Sequence, residues 1–124
     1  MSSVDSSQAE PPGGQTVSVT VEKHGRDAVV VVSGDIDMVT APEFEKALIA
    51  AVREQPEALV VDMTGVAFLG SAGLTALVAA RQQAGEVTAL RVVAKSSATA
   101  RPLQLTGLDQ EIPLYPTREE ALGA

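Results

Sequence analysis

The sequence contains no cysteine and no tryptophan, and its aromatic side chains are two phenylalanines and one tyrosine. The absence of cysteine excludes disulfide bonds and thiolate metal sites. A core without large aromatic groups must be built from valine, leucine and alanine, and the apolar content of 45% is that of a globular chain. A length of 124 residues suits one domain around one hydrophobic core.

Positive charge is scarce as well. Nine lysines and arginines stand against 16 aspartates and glutamates, so the formal net charge is −7. Because an acidic surface repels nucleic acid phosphates and anionic lipids, we expect neither kind of partner. No apolar run is long enough to cross a membrane, and the N-terminal stretch lacks the basic start and apolar core of a signal peptide. These absences favour a cytoplasmic protein.

Strand and helix patterns alternate after a polar N-terminal segment. Residues 1–15 are rich in serine, proline, glycine and glutamine, which predicts a flexible tail. Alternating valines predict a strand over residues 17–22, and a continuous β-branched run predicts a second, fully covered strand over residues 28–33. The complete order predicts an α/β domain over residues 16–124, with a small mixed β-sheet of four to five strands.

Several helix starts carry capping signals. Thr40 is followed by Pro42 and Glu43, which predicts a helix capped by Thr40 with Glu43 completing a capping box. A third helix is expected to be capped by Ser97, and a short terminal helix by Thr117.

The segment 58–84 is the most informative part of the chain. A buried strand is predicted to end at Asp62, a second apolar stretch follows, and Gly70-Ser71-Ala72-Gly73 then precedes an amphipathic helix. This order places the Ser71 hydroxyl at the positive end of a helix. There it could cap the helix by accepting a hydrogen bond from an amide two or three residues further on, act as a nucleophile, or accept a phosphate.

The residues that nucleophilic catalysis requires are missing. His24, the only histidine, lies in a polar turn, and residues 70–73 do not match the G-x-S-x-G elbow of hydrolases. No glycine-rich phosphate loop with a lysine is present, which argues against a nucleotide hydrolase. Asp35 and Asp37 could form a carboxylate pair, although aspartates at a strand end usually bond to the local backbone. We therefore expect a protein that is not an enzyme and needs no cofactor or metal ion.

The order of the motifs resembles the anti-sigma factor antagonists, which are STAS domains. The resemblance is carried by G-D-I-D-M-V-T-A-P-E-F at 34–44 and V-V-D-M-T-G-V-A-F-L-G-S-A-G-L at 60–74. L-T-G-L-D at 105–109 and T-R-E-E-A-L at 117–122 also resemble the end of the family pattern. The sequence departs from that pattern at Gly70, where the family usually has an acidic residue.

The resemblance implies a small sheet with helices packed on one side, and a mechanism called partner switching. In that mechanism the antagonist binds an anti-sigma factor that is also a serine kinase, and so frees a sigma factor for transcription. The kinase then phosphorylates the antagonist with ATP and the complex dissociates, until a phosphatase resets it. Ser71 falls on the phosphoacceptor position, and phosphate there would add about −1.5 to −2 charges at neutral pH.

The resemblance also implies a set of partner-binding residues. Asp37, Thr40 and Asp62 fall on positions of the family motifs, and they join Gly70, Ser71, Ala72 and Gly73 around the phosphoacceptor. Structural alternatives remain for two of them, since Thr40 could be a helix cap and Asp62 could bond the backbone of the next turn. The alternative function is a non-catalytic STAS module in another assembly, such as a stressosome-like scaffold or a transport accessory.

Overall fold

Five strands lie side by side in one mixed sheet of the computed structural model, which describes residues 16–124. The predicted tail at residues 1–15 lies outside the described residues. The strands follow the chain order across the sheet, and only the first pair is antiparallel: β1 (Val17–His24), β2 (Asp27–Ile36), β3 (Ala58–Leu69), β4 (Ala89–Val93) and β5 (Leu114–Tyr115). This arrangement confirms the predicted α/β class and mixed sheet.

Within residues 16–124, four α-helices connect or follow the strands: α1 (Ala41–Arg53), α2 (Ser71–Ala84), α3 (Ser97–Leu105) and α4 (Arg118–Leu122). The prediction that Thr117 caps the terminal helix is confirmed, because its side chain accepts from the Glu120 amide at 3.1 Å. The predicted cap of α3 is wrong. Ser97 is the first helical residue and Ser96 occupies the cap position, with no side-chain bond.

The sheet is apolar on both faces, which explains the continuous β-branched run in β2. Side chains of successive strand residues point to opposite faces. One face carries Val30 and Val61 and packs against the three longer helices, as expected for helices on one side of the sheet. The other face carries Val29 and Val60, which are fully buried with Ala121 of the short helix α4. The apolar burial on that second face fixes the C-terminal end of the chain to the sheet.

The prediction that strand β3 ends at Asp62 is wrong. The strand is 12 residues long and continues to Leu69. The mostly apolar stretch after Asp62, residues 63–69, pairs with the end of β2 through two irregularities in register. Gly34 allows one of them, because its φ of +101° is in the region that favours glycine and a Cβ atom would lie 2.3 Å from the Thr16 carbonyl oxygen. The extra length carries β3 to the level of Ile36, the last residue of β2.

Asp62 links strand β3 to helix α4. One carboxylate oxygen accepts from Arg118 Nη2 at 2.9 Å and Nε at 3.2 Å, and the other accepts from the Thr64 amide and hydroxyl. Burial opposes ionisation of Asp62, but the hydrogen bonds from Thr64 and Arg118 outweigh it and hold the pKa of Asp62 below its ordinary value. Arg118 also contacts Glu22 of β1 at 2.9 Å, so it joins two strands to the last helix.

Replacing Arg118 with leucine should destabilise the fold by about 1–3 kcal/mol near neutral pH, because the buried Asp62 carboxylate loses its charged donor. The loss should shrink as the pH falls. The depressed pKa of Asp62 stabilises the folded state at pH values above about 3.9, the pKa of aspartate in an unfolded chain. This stabilisation disappears as the pH falls further and Asp62 takes up a proton in the folded state.

Urea unfolding of Arg118→Leu at neutral and at strongly acidic pH measures both effects. Arg26→Leu is the matched control, because its ion pair with Glu57 is exposed on both sides and should contribute less than about 1 kcal/mol. An Arg118→Leu effect that is no larger than the control, or that does not depend on pH, would contradict this role of the Asp62 pair.

Candidate functional site

The carboxyl ends of β2 and β3 bring two loops together at one end of the sheet. The strands are parallel, Ile36 is paired with Leu69, and the Gly70 amide donates to the Ile36 carbonyl at 2.9 Å. The loop that follows Ile36 leads into α1, and the residue that follows Gly70 is Ser71, the first residue of α2. The pairing therefore places the Asp37 loop beside the start of α2, as the family resemblance implies.

Ser71 is not the cap of α2. Gly70 occupies the cap position, and the amides of Gly73 and Leu74 donate to the Gly70 carbonyl at 3.0 and 3.2 Å. The predicted bond from one of these amides to the Ser71 hydroxyl is therefore wrong, because the helix begins one residue earlier than its side chains suggest. Ser71 is exposed, and its hydroxyl has no hydrogen-bond partner within residues 16–124.

The start of α2 is electrostatically suited to a negative group. Its first turn contains no acidic residue. The amides of Ser71 and Ala72 come before the first intrahelical hydrogen bonds, so they add to the positive end of the helix dipole. A phosphate on the Ser71 hydroxyl would lie next to these amides, where an anion is stabilised.

Gly73 sets how closely the start of α2 packs on the sheet. A Cβ atom at this position would lie 2.6 Å from Leu69 Cδ1 and 2.7 Å from Ile36 Cγ2, and both side chains are buried. Gly70 is different, since its backbone angles of −91° and 179° suit any residue. A Cβ atom there would come nearest to the exposed ring of Phe68, at 3.1 Å. Gly73 is therefore required by the packing, and Gly70 is not.

Asp37 and Thr40 hold the neighbouring loop in place. One Asp37 carboxylate oxygen accepts from the amides of Val39 and Thr40 at 2.9 and 3.1 Å. The Thr40 hydroxyl accepts from the Asp37 amide at 2.9 Å and donates to the Asp35 carbonyl at 2.7 Å. Thr40 stands at the cap position of α1, but the predicted capping box is absent because its hydroxyl is used within the loop and the Glu43 amide donates to the Thr40 carbonyl instead.

Three large apolar side chains are exposed at this end of the sheet. Met38 and Val39, in the loop held by Asp37, are 83% and 75% exposed, and Phe68, just before Gly70, is 53% exposed. Large apolar groups exposed together are typical of a protein interaction surface. None of the three is among the partner-binding residues predicted from the sequence. We call these three residues, together with Asp37 and Gly70–Ala72, the Ser71 surface. Thr40 and Gly73 are buried directly beneath it.

Asp62 lies apart from the Ser71 surface. It precedes Leu69 by seven residues along β3, which corresponds to roughly 20 Å in an extended strand. Its carboxylate is buried and engaged by Thr64 and Arg118. The structure therefore brings together six of the seven residues predicted to bind a partner and leaves Asp62 on the α4 side of the sheet.

Within residues 16–124, no group of three or more histidine, aspartate and glutamate side chains is arranged to hold a metal ion. In the same part of the chain, no helix combines the length and the apolar character that crossing a membrane demands.

Comparison with known proteins identifies the fold. A model of the STAS domain family matches residues 18–121. The anti-sigma-F factor antagonist RsfB of Mycobacterium tuberculosis is 41% identical over 107 residues, which cover 86% of this chain and 88% of RsfB. The crystal structure of an anti-sigma factor antagonist from Mycobacterium paratuberculosis is 50% identical and superposes with a TM-score of 0.84, covering 87% of this chain and 92% of that one.

Two structures of SpoIIAA share the fold at lower sequence identity. The anti-sigma factor antagonist SpoIIAA in its unphosphorylated form is 16% identical, with a TM-score of 0.70 over 85% of this chain and 93% of SpoIIAA. The phosphorylated form of the Bacillus protein is also 16% identical, with a TM-score of 0.65 over 86% of this chain and 97% of that one. The chain thus belongs to the STAS domain family, and its similar relatives include anti-sigma factor antagonists.

Proposed function

We propose that this chain is an anti-sigma factor antagonist of the cytoplasm. It binds an anti-sigma factor that is also a serine kinase, through the Ser71 surface, and so frees a sigma factor for transcription. Phosphorylation of Ser71 releases the complex, and a phosphatase resets it. The observation that carries this proposal is the exposed Ser71 hydroxyl at a helix start without an acidic residue, beside exposed Met38, Val39 and Phe68.

The relatives support the proposal. RsfB, which aligns with most of this chain, is named as an antagonist of an anti-sigma-F factor. The existence of SpoIIAA structures in unphosphorylated and phosphorylated forms indicates that this fold accommodates a phosphate.

The proposed transfer uses the Ser71 hydroxyl as the attacking group. A bond forms between Ser71 Oγ and the γ-phosphorus of ATP, the bond between the γ-phosphorus and the bridging oxygen breaks, and ADP leaves. The hydroxyl proton must go to a base on the kinase.

The release step follows from charge. Before transfer, the partner meets a small neutral patch formed by residues 70–72. Afterwards it meets a phosphate of about −1.5 to −2 charges, because the second phosphate pKa is near 6. The amides at the start of α2 stabilise that phosphate within this chain, so the modification disfavours the complex and not the fold.

Incubation with ATP and each purified anti-sigma factor kinase of the source organism should add one phosphate, which mass spectrometry should locate at Ser71. Ser97 is the matched internal control, since it is also an exposed first residue of a helix. Thr75 should stay unmodified because its hydroxyl donates to the Ser71 carbonyl at 3.1 Å. Labelling confined to Ser97 or Thr75 would contradict the assignment.

A Ser71→Ala variant separates binding from release. It lacks the acceptor oxygen but keeps the apolar side chains of the Ser71 surface, so it should bind the kinase and remain bound after ATP is added. Gel filtration of the mixture before and after ATP measures this. Release of Ser71→Ala by ATP would show that dissociation does not depend on this hydroxyl.

A further inference from the structure

A groove of about 760 Å³ runs beside the Ser71 surface, between α1 and α2. Met38, Ile49 and Ala72 contribute apolar lining, and the charged lining is Lys46, Arg53 and Glu45. Ala72 and Thr75, one and four residues after Ser71, line the groove, so the phosphoacceptor lies next to it. We call it the α1–α2 groove.

The charge of this groove is opposite to that of the whole chain. Two cations and one carboxylate give its lining a charge of +1, whereas the chain carries −7. Of the nine lysines and arginines, five have a carboxylate or carbonyl acceptor: Lys23, Arg26, Arg81, Arg91 and Arg118. Lys46 and Arg53 have no such acceptor within the described residues 16–124, so both remain available to a negatively charged partner.

We propose that the α1–α2 groove receives an acidic amphipathic helix of the anti-sigma factor, an inference that rests on the proposed function. The groove follows α1 from Ala41 to Arg53, which is roughly 18 Å or three helical turns. Lys46 and Arg53 are seven residues apart, about 10 Å along the axis. The partner helix should therefore carry two carboxylates about two turns apart, with an apolar side chain between them facing Ile49 and Ala72.

A helix suits this groove better than a small ligand, an extended peptide or a second copy of this chain. The groove is too open to bury most of the surface of a small ligand. Its two walls are helices, which present side chains and leave no strand edge for an extended peptide, whereas a helix satisfies its own backbone groups. A second copy of this chain is disfavoured because a two-fold contact across the groove would bring together two linings that both carry a net positive charge.

The position of the groove connects binding to the switch. Ala72 and Thr75 line it, and they lie one and four residues after Ser71 on the same helix. An acidic helix in the groove would therefore pass close to the phosphate of modified Ser71 and be repelled by it. The negative charge of the partner helix is thus attracted to Lys46 and Arg53 before phosphorylation. After phosphorylation the same charge is repelled by the phosphate on Ser71.

Charge reversal tests this inference with the purified anti-sigma factor that binds the wild-type chain. Lys46→Glu and Arg53→Glu should each weaken binding about tenfold, an effect that declines as salt is added, and Glu45→Lys should strengthen it. Arg26→Glu is the matched control, because it makes the same charge change in the exposed β1–β2 turn, at the opposite end of β2 from Ser71. Circular dichroism verifies that each variant is folded.

The outcomes separate this inference from the proposed function. If Lys46→Glu and Arg53→Glu bind the anti-sigma factor as tightly as the wild-type chain, the acidic helix is overturned and the antagonist function stands. The same conclusion follows if Arg26→Glu weakens binding as much as they do. Absence of wild-type binding to every anti-sigma factor would overturn the proposed function itself. Where Lys46→Glu does weaken binding, replacing an acidic residue of the partner helix with lysine should restore it, and failure of every such replacement would also overturn the inference.

Discussion

A Ser71→Glu variant is expected to bind the anti-sigma factor at least about tenfold more weakly than the wild-type chain, because a fixed negative charge enters the partner contact. The wild-type surface has only small neutral groups over residues 70–72, and the proposed occupant of the α1–α2 groove is acidic. The added carboxylate therefore meets like charge where the wild-type chain offers a neutral hydroxyl. A full phosphate should have a larger effect, since it carries about twice the charge.

The same variant should fold as well as the wild-type chain. Ser71 makes no capping bond, since the Gly73 and Leu74 amides already donate to the Gly70 carbonyl. A glutamate in the first turn interacts favourably with the helix dipole, by about 0.3–1 kcal/mol. Thermal unfolding should therefore show an unchanged or slightly raised midpoint while binding falls.

Gln83→Glu is the matched control for this prediction. Gln83 is exposed near the other end of α2, so the variant adds the same charge to the same helix away from the Ser71 surface. Isothermal titration calorimetry of both variants should show weaker binding for Ser71→Glu alone. Equal weakening would assign the effect to net charge, and unfolding of Ser71→Glu would show that its hydroxyl supports the fold after all.

The placement of Ser71 beside Asp37 could be predicted from the sequence because it follows from topology. The carboxyl ends of two neighbouring parallel strands lie at the same edge of a sheet, so the segments that follow them begin close together. The valine patterns identify those strands, and the helical spacing after Gly73 identifies α2. That inference depends on no side-chain contact. It therefore holds even where the predicted first or last residue of a strand or helix is wrong.

The capping interactions could not be predicted because they depend on a shift of one residue. Ser71 and Ser97 both have the side chain of a cap, yet each helix begins at that residue, with Gly70 and Ser96 before it. For α2, capping propensity favours the Ser71 side chain over Gly70, whereas the actual start of the helix is fixed by the bond from the Gly70 amide to the Ile36 carbonyl. That bond joins two segments that are distant in sequence.

The role of Asp62 is also a tertiary property. Its main charged partner is Arg118, 56 residues later, and nothing near Asp62 in sequence indicates that contact. The availability of Lys46 and Arg53 is hidden for the same reason. A sequence shows which cations are present, but only the fold shows which of them already have an acceptor.

Gly73→Ala is expected to destabilise the fold by about 1–3 kcal/mol, the usual cost of adding a methylene to a packed site. Helix propensity predicts the opposite sign, since alanine is favoured over glycine in a helix by about 1 kcal/mol. The clash should prevail because the new Cβ atom would lie 2.6 Å from Leu69 and 2.7 Å from Ile36. Both side chains are buried, so neither can turn away into solvent.

Gly70→Ala provides the control, because its Cβ atom meets only the exposed ring of Phe68 at 3.1 Å and the Ile36 carbonyl oxygen at 3.4 Å. Urea unfolding should show a clear loss for Gly73→Ala and a much smaller change for Gly70→Ala. The kinase should also phosphorylate Gly73→Ala more slowly, since relief of the clash moves the start of α2 and with it Ser71. A stable Gly73→Ala variant that is phosphorylated at the wild-type rate would mean that Leu69 and Ile36 can rearrange around the added methyl group, and that the position of Ser71 does not depend on this contact.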